Sequence, residues 1–273
     1  MLSAARPLLL VGGGKMGEAL LDGWLRQGLG RDAVQVVEPD VGRRELVAGA
    51  HGVVAVSRPE NLPAAPAPGV LLLGVKPQAM DAVLRAYATR VAPDTLVLSI
   101  AAGKPIALLE RTVGEGLGVV RAMPNTPAAV GRGVSVLCAN ASATETQREL
   151  AERLMAAVGA VHWIEDEDLM HAVTAVSGSG PAYVFHLIEA LAEAGSRAGL
   201  PEPLAMELAR GTVAGAGELA RRSEETAAQL RANVTSPGGT TAAALQVLMA
   251  EDGLELLMAR AVAAAALRSR ELA

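Results

Sequence analysis

Gly12, Gly14 and Gly17 follow a short apolar run and open a helical stretch, with Lys15 and Met16 before the last of them. This G-x-G-x-x-G spacing suits anion binding by bare backbone. Gly12 permits a tight turn, Gly14 lets a pyrophosphate reach the main chain, and Gly17 lets helix and strand pack closely. Amides at the helix N-terminus then face the anion. Glu38 ends the next apolar run. A carboxylate there accepts from both ribose hydroxyls of NAD and repels a 2′-phosphate. Arg43 and Arg44 follow it, and a guanidinium suits the phosphate of NADP. The residues predict a dinucleotide site at which Glu38 favours NADH while the two arginines keep NADPH open.

Further polar or small loops stand where apolar runs end. Val75, Lys76 and Pro77 form one, in which Lys76 either contacts cofactor phosphate or ribose or is a surface lysine. Residues 99–103, Ser-Ile-Ala-Ala-Gly, either admit a nicotinamide or ribose close to the backbone or simply pack tightly. Pro124 and Pro127 stiffen a loop that carries Asn125 and Thr126, which positions a ligand or forms a structural turn. Residues 233–241 read Asn-Val-Thr-Ser-Pro-Gly-Gly-Thr-Thr just before a helical stretch. Hydroxyls, glycine-bared amides and a helix dipole make a carboxylate site. N-capping by Ser236 or Thr240 needs only one hydroxyl, so the loop reads as a ligand site.

The elements that must position these groups alternate in the first half. Residues 7–11, 34–38, 70–75, 95–100, 117–121 and 134–137 are short apolar runs bounded by Gly, Pro or charge, as strands are. Near-continuous apolarity predicts strands covered on both faces, as in a parallel sheet. Residues 15–27, 41–50, 78–90, 105–113 and 143–158 read as helices between them, which predicts a doubly wound α/β sheet. After about residue 161 the strand signal stops, and 168–176, 181–198, 203–221, 227–232, 241–250 and 254–270 read as helices. Ser-Gly-Ser-Gly-Pro at 177–181 predicts a sharp break that restarts a helix. Several late helices are Ala-rich and apolar around much of their circumference, so a subunit interface is the expected cover.

Composition narrows the partners. Over 273 residues the chain is 51% hydrophobic and 19% charged, which excludes disorder. A net charge of −5 and 2% aromatics give no footprint for nucleic acid. No run approaches the roughly 20 apolar residues of a membrane span, and the N-terminus lacks the features of a signal peptide. A lone cysteine, Cys138, permits no internal disulfide, and with four histidines it makes a structural metal site improbable. A reducing, cytoplasmic compartment is expected. The acidic run 165–168 reads as a solvated helix start.

At the glycine fingerprint and the two polar loops the chain resembles the pyrroline-5-carboxylate reductases. The similarity spans nearly the whole length and is most specific at 75–77, 123–127, 177–183 and 235–241, with Gly239, Thr241 and Leu245 at the signature spacing. The resemblance implies reduction of 1-pyrroline-5-carboxylate to proline with NADPH or NADH. It implies an N-terminal Rossmann domain over 1–161 and an all-α substrate-binding and dimerisation domain over 162–273, interlocked in homodimers that often assemble further into rings. By position, Gly12 to Gly17, with Lys15 and Met16, hold the pyrophosphate, Glu38 meets the adenosine ribose, and Asn61 is an adenosine-side contact. Val75, Lys76, Pro77 and Ala102 line the cofactor, with Asn125 and Pro127 near the nicotinamide. Ser236, Gly238, Gly239, Thr240 and Thr241 bind the substrate carboxylate and imine, Thr241 being the catalytic candidate, and Glu224 and Asn233 support them.

Two rivals share these features. A hydroxyacid dehydrogenase of similar layout needs a base to take the hydroxyl proton, and no lysine follows Lys104. Tyr183 and His186 are its substitute bases, or helix-packing residues. A non-catalytic NAD-sensing dimer keeps the glycine fingerprint but has little use for the hydroxyls of 235–241.

Overall fold

The computed structural model describes residues 2–62 and 67–272; Met1 and Ala273, the outer ends of the two expected domains, lie outside the described residues. The chain forms two compact units, Met1–Gly178 with Ala266–Ala273, and Ser179–Ala265. The first is built on an eight-stranded sheet: β1 (Leu8–Val11), β2 (Val34–Val37), β3 (Val54–Val56), β4 (Val70–Leu73), β5 (Leu96–Ser99), β6 (Gly118–Met123), β7 (Gly133–Ala139) and β8 (Gly159–Trp163), in the order β3-β2-β1-β4-β5-β6-β7-β8. Its helices are α1 (Lys15–Arg26), α2 (Val41–His51), α3 (Met80–Tyr87), α4 (Ile106–Val113) and α5 (Glu145–Ala156).

The apolar strands are buried on both faces, and side-chain alternation sorts them into two cores. Leu8 and Leu10 pack with Leu20 and Trp24 of α1, whereas Leu9 and Val11 pack with Met80 and Leu84 of α3. The Trp24 indole donates to the Leu154 carbonyl at 2.7 Å, which fastens α1 to α5. Thr144 and Gln147 form a capping box that starts α5.

Three features depart from the expected sheet. β3 has only three residues, and Val54 stays exposed, so its apolar signal was too short to read. β8 alternates half-buried and exposed residues around His162, and the expected helix 143–158 ran up to its start. β7 runs antiparallel to β6, against an all-parallel expectation. Their connection holds only the short 3₁₀ turn Thr126–Val130, and a parallel return needs a longer crossover.

The compact units divide at Gly178, beyond the expected boundary at 161/162. The reason is what 164–178 touches. Arg121 on β6 has a side chain only 4% exposed, and it pairs with Glu167 at 2.8 Å. The same Glu167 oxygen accepts the Ile106 amide at the start of α4. Met170, on the short α6 (Met170–Val173), is fully buried in the second core. A π-helical turn, Thr174–Gly178, leads into the expected break, a bend at Ser179, and the next helix restarts at Gly180 with Pro181 in its first turn. Burial pushes the His171 imidazole below its ordinary range, and its Nδ1 meets the Ser269 hydroxyl at 3.0 Å.

The second unit holds α7 (Gly180–Arg197), α8 (Glu202–Arg222), α9 (Ala227–Asn233), α10 (Thr240–Leu248) and most of α11 (Leu254–Glu271). Ala192, Ala205 and Ala209 are the buried residues of α7 and α8, and α9 and α10 have none. Phe185, Leu219, Val247 and Leu257 stand exposed. Such helices need another surface to cover them. Among the described residues no helix is long and apolar enough to cross a membrane.

The ion pair that draws residue 167 onto the sheet gives a stability test. Glu167→Ala leaves a buried guanidinium unpaired and the Ile106 amide without its acceptor. The expected cost is about 2–4 kcal/mol, read as a lower Tm and a lower denaturant midpoint. An unchanged Tm would mean that water already satisfies Arg121.

Candidate active site

Strand register brings the first group of residues to one sheet edge. Val11 lies beside Val37 and Leu73, Leu73 beside Ser99, and Ser99 beside Arg121. The loops that leave β1, β2, β4 and β5 therefore start side by side. The strand order reverses between β1 and β4, where open α/β sheets form a ligand crevice.

The glycine loop is shaped by close backbone approach. Gly12 has φ +104°, and a Cβ on it would fall 2.6 Å from the Gly74 carbonyl oxygen. A Cβ on Gly17 would collide with the Gly12 carbonyl. Gly14 faces open space, and as N-cap of α1 it supplies no side-chain cap. The first-turn amides of α1 are thus left for an anion, and the cradle fits a dinucleotide pyrophosphate. Lys15 is exposed and Met16 half-buried on that turn.

Glu38 is 9% exposed and already hydrogen-bonded. Its Oε2 accepts the Gly13 amide at 2.8 Å and its Oε1 the Asp40 amide at 2.9 Å. Each oxygen keeps a lone pair for a ribose hydroxyl. The two arginines are committed to backbone. Arg43 Nε donates to the Gly13 carbonyl at 2.6 Å, and its guanidinium pairs with Glu18. Arg44 donates to the carbonyls of Glu38 and Pro39 at 3.0 and 3.1 Å. The sequence reading gave Gly13 no role beyond the pyrophosphate span 12–17 and missed Glu18. A glycine at an unspecified position of the motif and an acid one turn into α1 carry no signal of their own until the fold brings Glu38 and α2 beside them.

The remaining residues of this unit lie in the loops around the same sheet. Asn61 is exposed in the 3₁₀ turn Pro59–Asn61 after β3. Val75 is half-buried and Lys76 exposed after β4, and Pro77 starts the following turn. Ala102 is half-buried in the turn after β5. Asn125 is nearly buried, and its whole amide is engaged: Nδ2 donates to the Ser177 carbonyl and hydroxyl, both at 3.2 Å, and Oδ1 accepts the Val134 amide at 2.8 Å. Asn125 thus shapes its loop, with Pro127 half-buried in the turn that follows.

The second unit carries the hydroxyl-rich loop. Gly238 has φ +69°, and Gly239 is the N-cap of α10 with no side-chain cap. The expected alternative, capping by Ser236 or Thr240, is not what the loop does. Among the described residues the Ser236, Thr240 and Thr241 hydroxyls have no hydrogen-bond partner, while Thr235 donates to the Arg231 carbonyl at 2.6 Å. Asn233 donates to Glu225 at 3.0 Å and accepts from Gln229 at 2.8 Å. Glu225 thus reaches Asn233, whereas Glu224 is exposed. The arrangement offers free hydroxyls and bare amides at a helix start, the donor set for a carboxylate.

Other chemistry finds little footing. His186 on α7 has a side chain 81% exposed and faces Glu189 at 3.3 Å, a surface pair rather than helix packing. Burial pushes the Cys138 thiol up, so it stays protonated at neutral pH. Among the described residues no group of three His, Cys, Asp or Glu could hold a metal ion.

Comparison with known proteins agrees with this division. Residues 167–272 match the family described as pyrroline-5-carboxylate reductase dimerisation, and residues 8–103 match the family described as NADP oxidoreductase coenzyme F420-dependent. The chain is 43% identical over 266 residues to the pyrroline-5-carboxylate reductase of Pseudomonas aeruginosa, covering 97% of this chain and 96% of that one. A solved pyrroline-5-carboxylate reductase from Coxiella burnetii superposes with a TM-score of 0.91 at 35% identity, over 98% of this chain and 99% of that one. A Plasmodium falciparum pyrroline carboxylate reductase with NADP bound gives 0.83 at 30% identity, over 99% of both. The helical half, with its uncovered apolar faces, is built to assemble with further copies of the chain. At this identity over the full length, the chain belongs to the pyrroline-5-carboxylate reductase family of NAD(P)H-dependent oxidoreductases.

Proposed function

We propose that this chain reduces 1-pyrroline-5-carboxylate to proline, the last step of proline biosynthesis, as a cytoplasmic homodimer that can assemble further into rings. The N-terminal part binds the dinucleotide, and the helical part binds substrate and dimerises. The observation that carries this reading is the loop before α10, where three hydroxyls without partners surround an uncapped helix start. Gly12 to Gly17 receive the pyrophosphate and Glu38 the adenosine ribose. Asn61, Val75, Lys76, Pro77 and Ala102 line the dinucleotide, and Asn125 and Pro127 shape its nicotinamide end.

Bound NAD(P)H supplies the hydride that moves from nicotinamide C4 to the imine carbon C5. The ring nitrogen ends with a proton, and a protonated imine is already electrophilic, so catalysis rests mainly on positioning. Ser236, Gly238, Gly239 and Thr240 hold the substrate carboxylate at the helix start. Thr241 hydrogen-bonds the ring nitrogen and passes on a proton relayed from solvent. A neutral hydroxyl is a weak acid, so its help is modest. Asn233, braced by Glu225, stiffens the approach to the loop, and Glu224 flanks it.

Steady-state kinetics test the substrate. The purified chain should oxidise NAD(P)H with 1-pyrroline-5-carboxylate and not with 2-keto acids. Thr241→Val should lower kcat/KM about tenfold to hundredfold. Its Tm should barely move, because Thr241 caps nothing in the structure. A variant that lost stability but kept full activity would remove Thr241 from the site.

NADH should be the better cofactor, since Glu38 repels a 2′-phosphate while its free lone pairs take the ribose hydroxyls. Glu38→Ser should narrow the preference mainly through the cofactor KM. It should also weaken both dinucleotides, because the Gly13 and Asp40 amides lose their acceptor. A wild type that strongly preferred NADPH would contradict this role for Glu38.

The exposed faces of α7 to α11 support an obligate homodimer with an interface above roughly 2,000 Å². Sedimentation at nanomolar concentration should find no active monomer.

A further inference from the structure

The sequence alone leaves Arg43 as a candidate for gripping a 2′-phosphate, but its bonds point elsewhere. The geometry points to Arg43 as a positioning residue that presets the glycine loop for either dinucleotide, an inference that rests on the cofactor site proposed above. Arg43 Nε donates to the Gly13 carbonyl at 2.6 Å, and Glu38 Oε2 accepts the amide of the same Gly13 at 2.8 Å. The two side chains therefore fix the peptide planes on either side of Gly13.

The consequence falls on Gly14. In a trans peptide the carbonyl and the next amide point in opposite directions. Holding the Gly13 carbonyl against Arg43 turns the Gly14 amide the other way. That amide has no hydrogen-bond partner among the described residues, and the space around Gly14 is open. Arg43 thereby aims one of the bare donors at the start of α1. Three successive glycines have wide conformational freedom, and ordering them on binding weakens affinity unless the order is built in.

Arg43 is in turn held in place. Its guanidinium pairs with Glu18 on α1, and both side chains are about three-quarters buried, at 25% and 29% exposure. The brace thus runs from α2 to α1 across the loop it orders. The guanidinium thus spends two of its five N–H groups, one on a carbonyl and one on a carboxylate, and its charge is already matched by Glu18.

Direct dinucleotide titration of the full-length chain, followed by nicotinamide fluorescence, separates the two roles. Arg43→Ala should raise Kd for NADH and NADPH by the same factor, about tenfold. Amide exchange within residues 12–17 of the cofactor-free protein should speed up in the same variant. Arg43→Lys should recover part of both effects, and Glu18→Gln should reproduce a smaller, equally shared rise in Kd. The last two variants carry the comparison if Arg43→Ala fails to fold. A loss confined to NADPH would make Arg43 a phosphate ligand and overturn the proposal, as would unchanged Kd values in a folded variant. The titration does not depend on the imine. A chain that binds dinucleotide as expected but does not reduce 1-pyrroline-5-carboxylate would leave Arg43's role standing and overturn the substrate assignment.

Discussion

Backbone meets backbone where β1 ends, and no side chain fits between. The Gly74 carbonyl would clash with a Cβ on Gly12, and the Gly12 carbonyl would clash with a Cβ on Gly17. These two contacts set how β1, β4 and α1 approach one another. They place the uncapped start of α1 at the point where the strand order reverses. The rest of the first unit follows from that closeness. Glu38 on the neighbouring strand end reaches the Gly13 amide, and α2 comes near enough for Arg43 to reach the Gly13 carbonyl. The proposed cofactor site is lined there by main chain, and the side chains around it mainly keep the main chain still.

The features with strong local causes were legible in the sequence. β1 and β4 are uninterrupted aliphatic runs, β5 is one but for its last residue, Ser99, and helices α1, α2 and α4 follow glycine, Asp40 or Pro105, with 3.6-residue periodicity. What escaped was set by tertiary partners. β8 pairs with β7 although His162 and a preceding helix blur its pattern. β7 reverses because a 3₁₀ turn is too short to cross over, and connection length is hard to judge before the strands are known. The acidic run 165–168 read as solvated, yet Glu167 answers a buried arginine far away in sequence. Long-range charge pairs leave no local mark on either partner.

The same contrast holds at the site. Glycine spacing announced the cradle because only glycine tolerates such backbone approach. Hydroxyl clustering drew attention to the loop 233–241, and its helix has Gly239 as N-cap, which leaves the Ser236, Thr240 and Thr241 hydroxyls uncommitted. By contrast, Asn125 looked like a ligand contact, and its amide is wholly engaged in shaping the loop. Polar residues in rigid loops serve geometry as often as chemistry, and only their bonding distinguishes the two. Asn233 belongs with Asn125 in this respect, since both of its amide groups already have partners.

The ionisable residues beside the hydroxyl loop are carboxylates and an arginine, and this bears on what reaction the chain can run. No lysine follows Lys104, and His186 is solvated on the surface of α7. Oxidising an alcohol would require a base of matched pKa. Reducing an imine requires none: the substrate carries its own electrophile, and its nitrogen takes a proton from any adjacent donor fed by water. What such a reaction does need is orientation, because hydride transfer depends on two rings held face to face at close range. Orientation is what the two proposed sites would supply, each within its own unit, through glycine-bared amides, helix starts without side-chain caps, and side chains such as Glu38, Arg43 and Asn233 that hold backbone or neighbouring side chains.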